Sequence, residues 1–473
     1  MDNQLILLLI VLIPTIGAFV LPVLNCVSVK ARNLFALFFV LTSFVLTLVI
    51  LPFVFSGQTI TANFYSLTLH ADGLAVFMAL VSSSLSAIIV FYSFGYISHY
   101  ENQNEYYLMV VLFFGAMMGL VFAGNLIFLY LFWEITAITS WRLIGFFREK
   151  QHVLRADKAF LVTMFGSVMM LLGFVSIYFQ NGTYDLAALK GSQISNIAVI
   201  LILAGILSKS ATLPLHTWLP DAGVAPSPVT ALLHAALLVK IGVYVFARLF
   251  IATGFVIDPS WHTIIPIIAG ASALIAAGAA MLETDLKRII AYSTVSQIGF
   301  IFLGLSIGNE IGVVGAMLYI LMHGMAKGGL FLCAGIVEQN TKTKNITQLG
   351  GLIKTMPVTA VSFLLCSFSV MGIPPFGGFF SKYMVMTAAT QKGQVWISFV
   401  FLAGAVMTIV YLLRVFNLVF MGQSKTQPAK EGSPVMIISV ALLAALSLAG
   451  GILIYYPSHF LQITLLQLPG IIR

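Results

Sequence analysis

Charge is scarce in this chain of 473 residues: 8% are Asp, Glu, Lys or Arg, against roughly 25% in a soluble domain. That shortage excludes a water-solvated surface of ordinary extent. Cysteine is scarcer still. Cys26, Cys333 and Cys366 are widely spaced and form no CxxC or Cys/His cluster, which argues against an iron–sulfur or zinc framework. No cofactor and no metal are expected. Carboxylates are few, with 15 Asp and Glu against 23 Lys and Arg, for a net charge of +8. The basic residues lie in short loops between apolar runs, where membrane insertion places them. No aromatic-interleaved basic face exists, so no nucleic-acid partner is expected. The apolar runs are too long, and alternate too little with polar residues, for a membrane barrel.

What is present is hydrophobic: 60% of the residues. Runs of about 20 apolar residues recur along the chain, each long enough to cross the roughly 30 Å hydrocarbon layer. Spans are expected near 4–25, 33–55, 73–97, 107–123, 125–147, 157–180, 195–219, 226–250, 262–283, 289–307, 311–337, 355–388, 394–420 and 434–457. The fold class is an all-α polytopic membrane protein of about fourteen helices, with short connections and no soluble appendage. The first run lacks a basic leading segment and reads as a first span, not a cleaved signal. One set of alternate loops carries Lys30, Arg32, Arg148, Lys150, Arg155, Lys158, Lys287, Arg288, Lys342, Lys344, Lys354, Lys425 and Lys430. The other carries Lys190, Arg248, Lys392 and Arg473. By the positive-inside rule both termini belong outside the cytoplasm of a cell-membrane protein.

Two spans are overlong and interrupted. Ser208–Asp221 reads SKSATLPLHTWLPD, and Gly372–Lys382 reads GIPPFGGFFSK. Proline removes a backbone donor and clashes with the preceding turn. Within lipid such a break survives only inside protein or beside a wet cavity. A pair of broken spans at matching positions is the mark of an inverted-repeat transporter. The expected division is 1–106 for three leading spans, 107–253 for a first five-span repeat, 254–421 for a second, inverted one, and 422–473 for the last span.

Charges nevertheless occur inside the apolar runs. A charge at mid-bilayer costs at least ~2.5–3.5 kcal/mol. Glu134, Lys209, Lys240, Lys327 and Lys382 all fall there, with His216, His234 and His323 nearby. They are expected to face the bundle interior. A carboxylate at Glu134 beside a buried ammonium at Lys209 would decide whether that lysine holds or releases a proton; the alternative is a fixed salt bridge that only locks two helices. Lys240 and His234 are six residues apart and point in different directions around a helix; a hydrogen-bonded core histidine is the plain alternative at His234. His323 and Lys327, at i and i+4, share a face, flanked by small residues that allow close helix approach. Lys382 follows the second break and is expected to match Lys209 by position. Arg142 and Arg414 are expected to snorkel toward, or pair with, lipid headgroups. Lysine, histidine and water suit a proton path, whereas a cation pore favours carbonyls or carboxylates.

The runs KSATLPLHTWLPDA, APSPVTALLHAALLVKIGVY, DLKRIIAYSTVSQIGF, LMHGMAKGGLF and GIPPFGGFFSK resemble the antiporter-like membrane subunits shared by respiratory complex I, the multisubunit Mrp sodium/proton antiporters and membrane-bound energy-converting hydrogenases. The resemblance covers roughly residues 70–420. It implies about fourteen core helices, outside termini, two inverted five-helix repeats and broken seventh and twelfth helices. It also implies that Glu134 and Lys209 form the family's glutamate–lysine pair, that His234, Lys240, His323 and Lys327 form the central relay, and that Lys382 opens to the outside. The lysine at the last site departs from a complex I subunit that has glutamate there. Holding both His234 and Lys240 is closer to the large Mrp subunit, and a chain ending at Arg473 leaves no room for the long lateral helix of the largest complex I member. The implied function is proton translocation within a complex I-type or hydrogenase-type assembly, without redox chemistry of its own. The alternative is an Mrp-type sodium/proton antiporter subunit with no redox partner, and a third reading is a purely bracing subunit. The implied partners are other membrane subunits, protons or sodium ions, and the lipid bilayer.

Overall fold

A computed structural model describes residues 2–64, 67–424 and 430–465. Lys425 and Arg473, counted among the loop charges above, lie outside the described residues. Twelve of the helices there are long and apolar enough to cross a membrane. Two shorter apolar helices, Asn196–Lys209 and Pro357–Met371, belong to the interrupted spans. Together they make the fourteen expected crossings, and the chain is a multi-pass membrane protein.

The helices are α1 (Asn3–Val27), α2 (Val29–Phe55), α3 (Gly73–Tyr96), α4 (Gln103–Val121), α5 (Leu126–Ile144), α6 (Lys150–Asn181) and α7 (Asn196–Lys209). There follow α8 (Ser227–Ala252), α9 (Trp261–Leu282), α10 (Leu286–Ser306), α11 (Glu310–Thr341), α12 (Pro357–Met371), α13 (Gly377–Gln391), α14 (Val395–Phe420), α15 (Pro434–Ile452) and α16 (Tyr455–Leu465). Polar residues punctuate the apolar runs. The side chains of Ser28, Asp72, Asn125, Ser195, Asp285 and Asn309 each accept a backbone N–H of the helix they precede, satisfying donors that lipid could not. Gly372, at φ +81°, ends α12 in the left-handed region that glycine enters without strain.

Hydropathy alone missed two elements. An antiparallel hairpin, β1 (Ile60–Phe64) and β2 (Leu67–Ala71), caps one end of the bundle, and α16 follows the last span. Periodicity also gave no sign of two π-helical stretches in α8, Leu232–Ala236 and Ala247–Ala252.

Two runs of five spans share a pattern. In each, a 32-residue helix (α6, α11) stands third and an interrupted span fourth. In each, the residue before the second helix bridges the loop after the third, Asn125 to Asp185 and Asp285 to Asn345. The seventh span ends its first half at Lys209 and resumes as a helical turn at Trp218–Asp221. The twelfth stops at Met371 and resumes at Gly377. Both interruptions are packed in protein: Ser208, Ser210 and Thr212 are fully buried in one, and Ser367, Ser369 and Ser381 in the other.

Candidate functional site

The buried lysines and histidines of the expected path come from four helices, α7, α8, α11 and α13. Lys209, Lys240 and Lys327 have no exposed surface, Lys382 retains 6%, and His234 and His323 have 0% and 1%. Each of these four ammonium groups finds an acceptor inside the protein.

At one end, Lys209 Nζ donates to the Trp133 carbonyl at 3.2 Å and lies 5.2 Å from the Trp133 ring centre. Glu134 is the next residue on α5 after that carbonyl. Lys209 and Glu134 make no direct ion pair, and Glu134 Oε1 has no partner among the described residues. The Lys209 ammonium is bonded to the α5 backbone one residue before that carboxylate.

In the middle, Lys240 on α8 meets His323 on α11, Nζ to Nδ1 at 2.5 Å. His323 Nε2 and both ring nitrogens of His234 have no partner among the described residues. His234 sits in the first π-helical stretch, its ring 4.3 Å from that of Phe331. Its ring packs on an aromatic neighbour and bonds to none of the described residues. A π bulge inside a long helix is common at functional sites, and an unpaired buried imidazole is one of the rare exceptions to full polar pairing.

Toward the far end, Lys327 Nζ donates to the Ile290 carbonyl at 3.1 Å and to Ser293 Oγ at 2.5 Å. Ser293 pairs with the Tyr411 hydroxyl at 2.6 Å. The Tyr411 hydroxyl donates to Thr408 at 3.3 Å, and Gln297 Nε2 donates to the same Thr408 oxygen at 3.4 Å. The Tyr319 hydroxyl donates to Gln297 Oε1. Lys382 lies 5.4 Å from the Tyr319 ring centre and donates to the Val370 carbonyl at 2.7 Å. A buried chain of hydroxyls and one amide thus joins the surroundings of Lys327 to those of Lys382. Sequence reasoning, aimed at charges, passed over Ser293, Gln297, Tyr319, Thr408 and Tyr411. The signal was present: Ser293 and Gln297 lie at i and i+4 in α10, and Tyr319 continues the i, i+4 stripe of His323 and Lys327.

Three expectations change. Lys382 lies in the second half of its broken span and Lys209 in the first, so their sequence positions do not match. Only the Lys382 ammonium, reaching back to Val370 near the end of α12, returns to the corresponding place. Arg142 finds a partner within the protein: its guanidinium pairs with Glu105, as does that of Arg148. Arg414 Nη1 donates to the carbonyls of Met281, at 2.6 Å, and Glu283, at 3.1 Å. Arg248, counted with the loops, is buried in α8 and bonded to Asp72 through two nitrogens, at 2.5 and 2.8 Å.

Comparison with known proteins agrees with this architecture. The solved Mrp complex from Dietzia sp. DQ12-45-1b contains a chain that superposes with a TM-score of 0.90 at 24% identity, covering 99% of this chain and 98% of that one. A chain of the membrane-bound sulfane sulfur reductase, an archaeal respiratory membrane complex, gives 0.89 at 24% identity, covering 98% and 97%. The Na(+)/H(+) antiporter subunit A1 of Staphylococcus aureus (strain MRSA252) is 32% identical over 93% of this chain, which spans 60% of that relative's length. Residues 123–408 match the family model described as NADH:quinone oxidoreductase/Mrp antiporter, TM, and the chain belongs to that family.

Proposed function

We propose that this protein is a proton-moving subunit of a multisubunit membrane complex. Protons pass along the buried line from the Glu134–Lys209 end through Lys240 and His323 to Lys327 and Lys382. The observation that carries this reading is the joining of titratable groups across helices: Lys240 to His323, and Lys327 through Ser293 and Tyr411 to the hydroxyl chain beside Lys382. The amines, imidazole and hydroxyls can give and take a proton, with Gln297 bridging as donor and acceptor, and hydrogen-bonded chains in a low-dielectric interior strengthen one another. Leu or Met at these positions would pack at lower cost, so buried lysines are poorly explained as bracing alone.

In this reading residues 107–253 and 254–421 are two inverted repeats, supported by the matched 32-residue helices, bridges and interruptions. Movement of Glu134 relative to Lys209 sets when the first ammonium releases its proton. Both termini lie outside the cytoplasm of a cell membrane, as the loop charges ask. A protease-accessible tag at the N-terminus should then be cleaved in whole cells and protected in inverted vesicles.

The partner subunits supply the driving force, either electron transfer in a complex I-type or hydrogenase-type assembly or sodium exchange in an Mrp-type one. The 32% identical relative, an Na(+)/H(+) antiporter subunit A1, favours the second. Vesicles containing the whole complex separate the two: sodium-dependent, uncoupler-sensitive pH changes without an electron donor identify exchange. In either case Lys209→Ala and Lys240→Met complexes should assemble and lose at least nine-tenths of coupled proton movement. Full coupling by Lys209→Ala would end the proposal.

A further inference from the structure

Beneath the β1–β2 hairpin lies a cavity of about 350 Å³, apart from the lysine line. Its rim holds exposed residues, among them Thr61 and Lys190. Its lining includes His70, Asp72, Asp185 and Arg248. Asp72 and Arg248 form a buried, two-pronged ion pair, with side-chain exposures of 9% and 7%. On the inner side Arg248 holds the Tyr244 hydroxyl through Nε at 3.0 Å and Nη2 at 2.8 Å, and its guanidinium carbon lies 5.4 Å from the Tyr244 ring centre. The Tyr244 hydroxyl in turn donates to the Val121 carbonyl.

The stripe does not stop at Tyr244. Lys240, Tyr244 and Arg248 recur at intervals of four along α8, about 6 Å of rise per step. The inner end of that stripe is the lysine bonded to His323. One face of one helix therefore runs from a solvent-reaching cavity, past a clamped guanidinium and a tyrosine, to the middle of the proposed line. An arginine cannot pass a proton on, because it does not deprotonate, and a fixed positive charge in a narrow passage excludes cations and protons.

We propose that Arg248, clamped by Asp72 and Tyr244, is the seal that separates the Lys240–His323 pair from the cavity beneath the hairpin. Asp72 and Tyr244 hold the guanidinium in place, and its charge is the barrier. The role is positional and electrostatic, and it rests on the reading that the central line carries protons.

The roles of the two partners predict opposite outcomes. Arg248→Gln leaves an uncompensated carboxylate at the passage, so de-energised vesicles holding the complex should take up protons passively about tenfold faster under an imposed pH gradient. Asp72→Asn leaves the positive charge in place and should remain as tight as the native complex. A pair that only braces the fold would make both variants leak alike or leave both tight, and either result overturns the seal. Adding Lys240→Leu to Arg248→Gln should return the leak to the native rate; a leak that persists sinks the central line instead of the seal. Should either variant fail to accumulate, labelling with the ion pair intact gives an independent reading. A membrane-impermeant methanethiosulfonate applied from the hairpin side should modify Thr61→Cys and spare Val121→Cys. Equal labelling of both overturns the seal.

Discussion

At the scale of single residues, the buried lysines differ in what their removal would leave behind. Lys327 donates to the Ile290 carbonyl, which Thr294 also uses, and to Ser293, which Tyr411 also uses. Lys327→Met therefore strips no group of its last partner. A buried charge without an ion partner carries a desolvation cost that an apolar side chain of similar volume does not. The variant should melt at or above the native temperature in detergent while losing proton movement. Lys240→Met, by contrast, removes the partner of His323 Nδ1 and leaves a buried nitrogen unpaired at a cost of about 1–3 kcal/mol, so its gain should be smaller or absent. A destabilised Lys327→Met would show that the ammonium braces the fold. The lysines and histidines were legible in the sequence because charge inside an apolar run is conspicuous. Their partners were not. Backbone carbonyls of Trp133, Ile290 and Val370 carry no side-chain signature, and serine, threonine and tyrosine are common enough in membrane helices to pass unnoticed.

At the scale of elements, the two interruptions were readable from Pro214, Pro220, Pro374 and Pro375, because proline inside an apolar run breaks the ladder of backbone hydrogen bonds that a spanning helix needs. How tightly they pack was not readable. A β-carbon added at Gly378 would sit 1.9 Å from the Ser369 carbonyl oxygen, joining the two halves of the twelfth span too closely for any side chain. Gly378→Ala should cost about 1–3 kcal/mol through overpacking, seen as a lower detergent melting temperature. An unchanged melting temperature would mean that the halves separate freely. The π-helical stretches of α8 escaped notice for a different reason. Every residue from Ser227 to Leu249 is buried, so the span has no amphipathic period whose phase an inserted residue could shift. The hairpin escaped because five-residue strands fall below what hydropathy windows resolve.

At the scale of the whole molecule, the loop charges predicted to crowd one face are organised into ties between helices. Asp221, after the first interruption, binds Lys158 of α6 at 2.7 Å and Arg288 of α10 at 2.6 Å. Arg288 also binds Glu283 at 2.8 Å, and Lys287 binds Glu338 of α11 at 2.5 Å. One carboxylate thus links a helix of each five-span run. Burial pushes the Asp221 carboxyl up, but the hydrogen bonds and charges of Lys158 and Arg288 outweigh it, and the net value falls below the usual carboxylate range. A depressed carboxylate stabilises the fold at pH above its unfolded value, near 4, and loses that contribution as pH falls through its lower folded value. Asp221→Asn should therefore lower stability by about 1 kcal/mol at pH 7, modest because the partners are part-exposed. The deficit should shrink as pH falls below the usual carboxylate range and both states take up the proton. A deficit independent of pH would assign the loss to packing. The sequence told which face gathers positive charge, but not which acid each base would find, because Asp221 and Arg288 are 67 residues apart.

The twelfth span joins its two halves in one further way. Lys382 belongs to α13, yet its ammonium rests on a carbonyl of α12. If the half-helices swing about the interruption, donor and acceptor travel with opposite arms. The angle of the kink and the hydration of the terminal ammonium then become one variable, so opening the bend frees that amine to meet water and closing it returns the amine to the peptide oxygen.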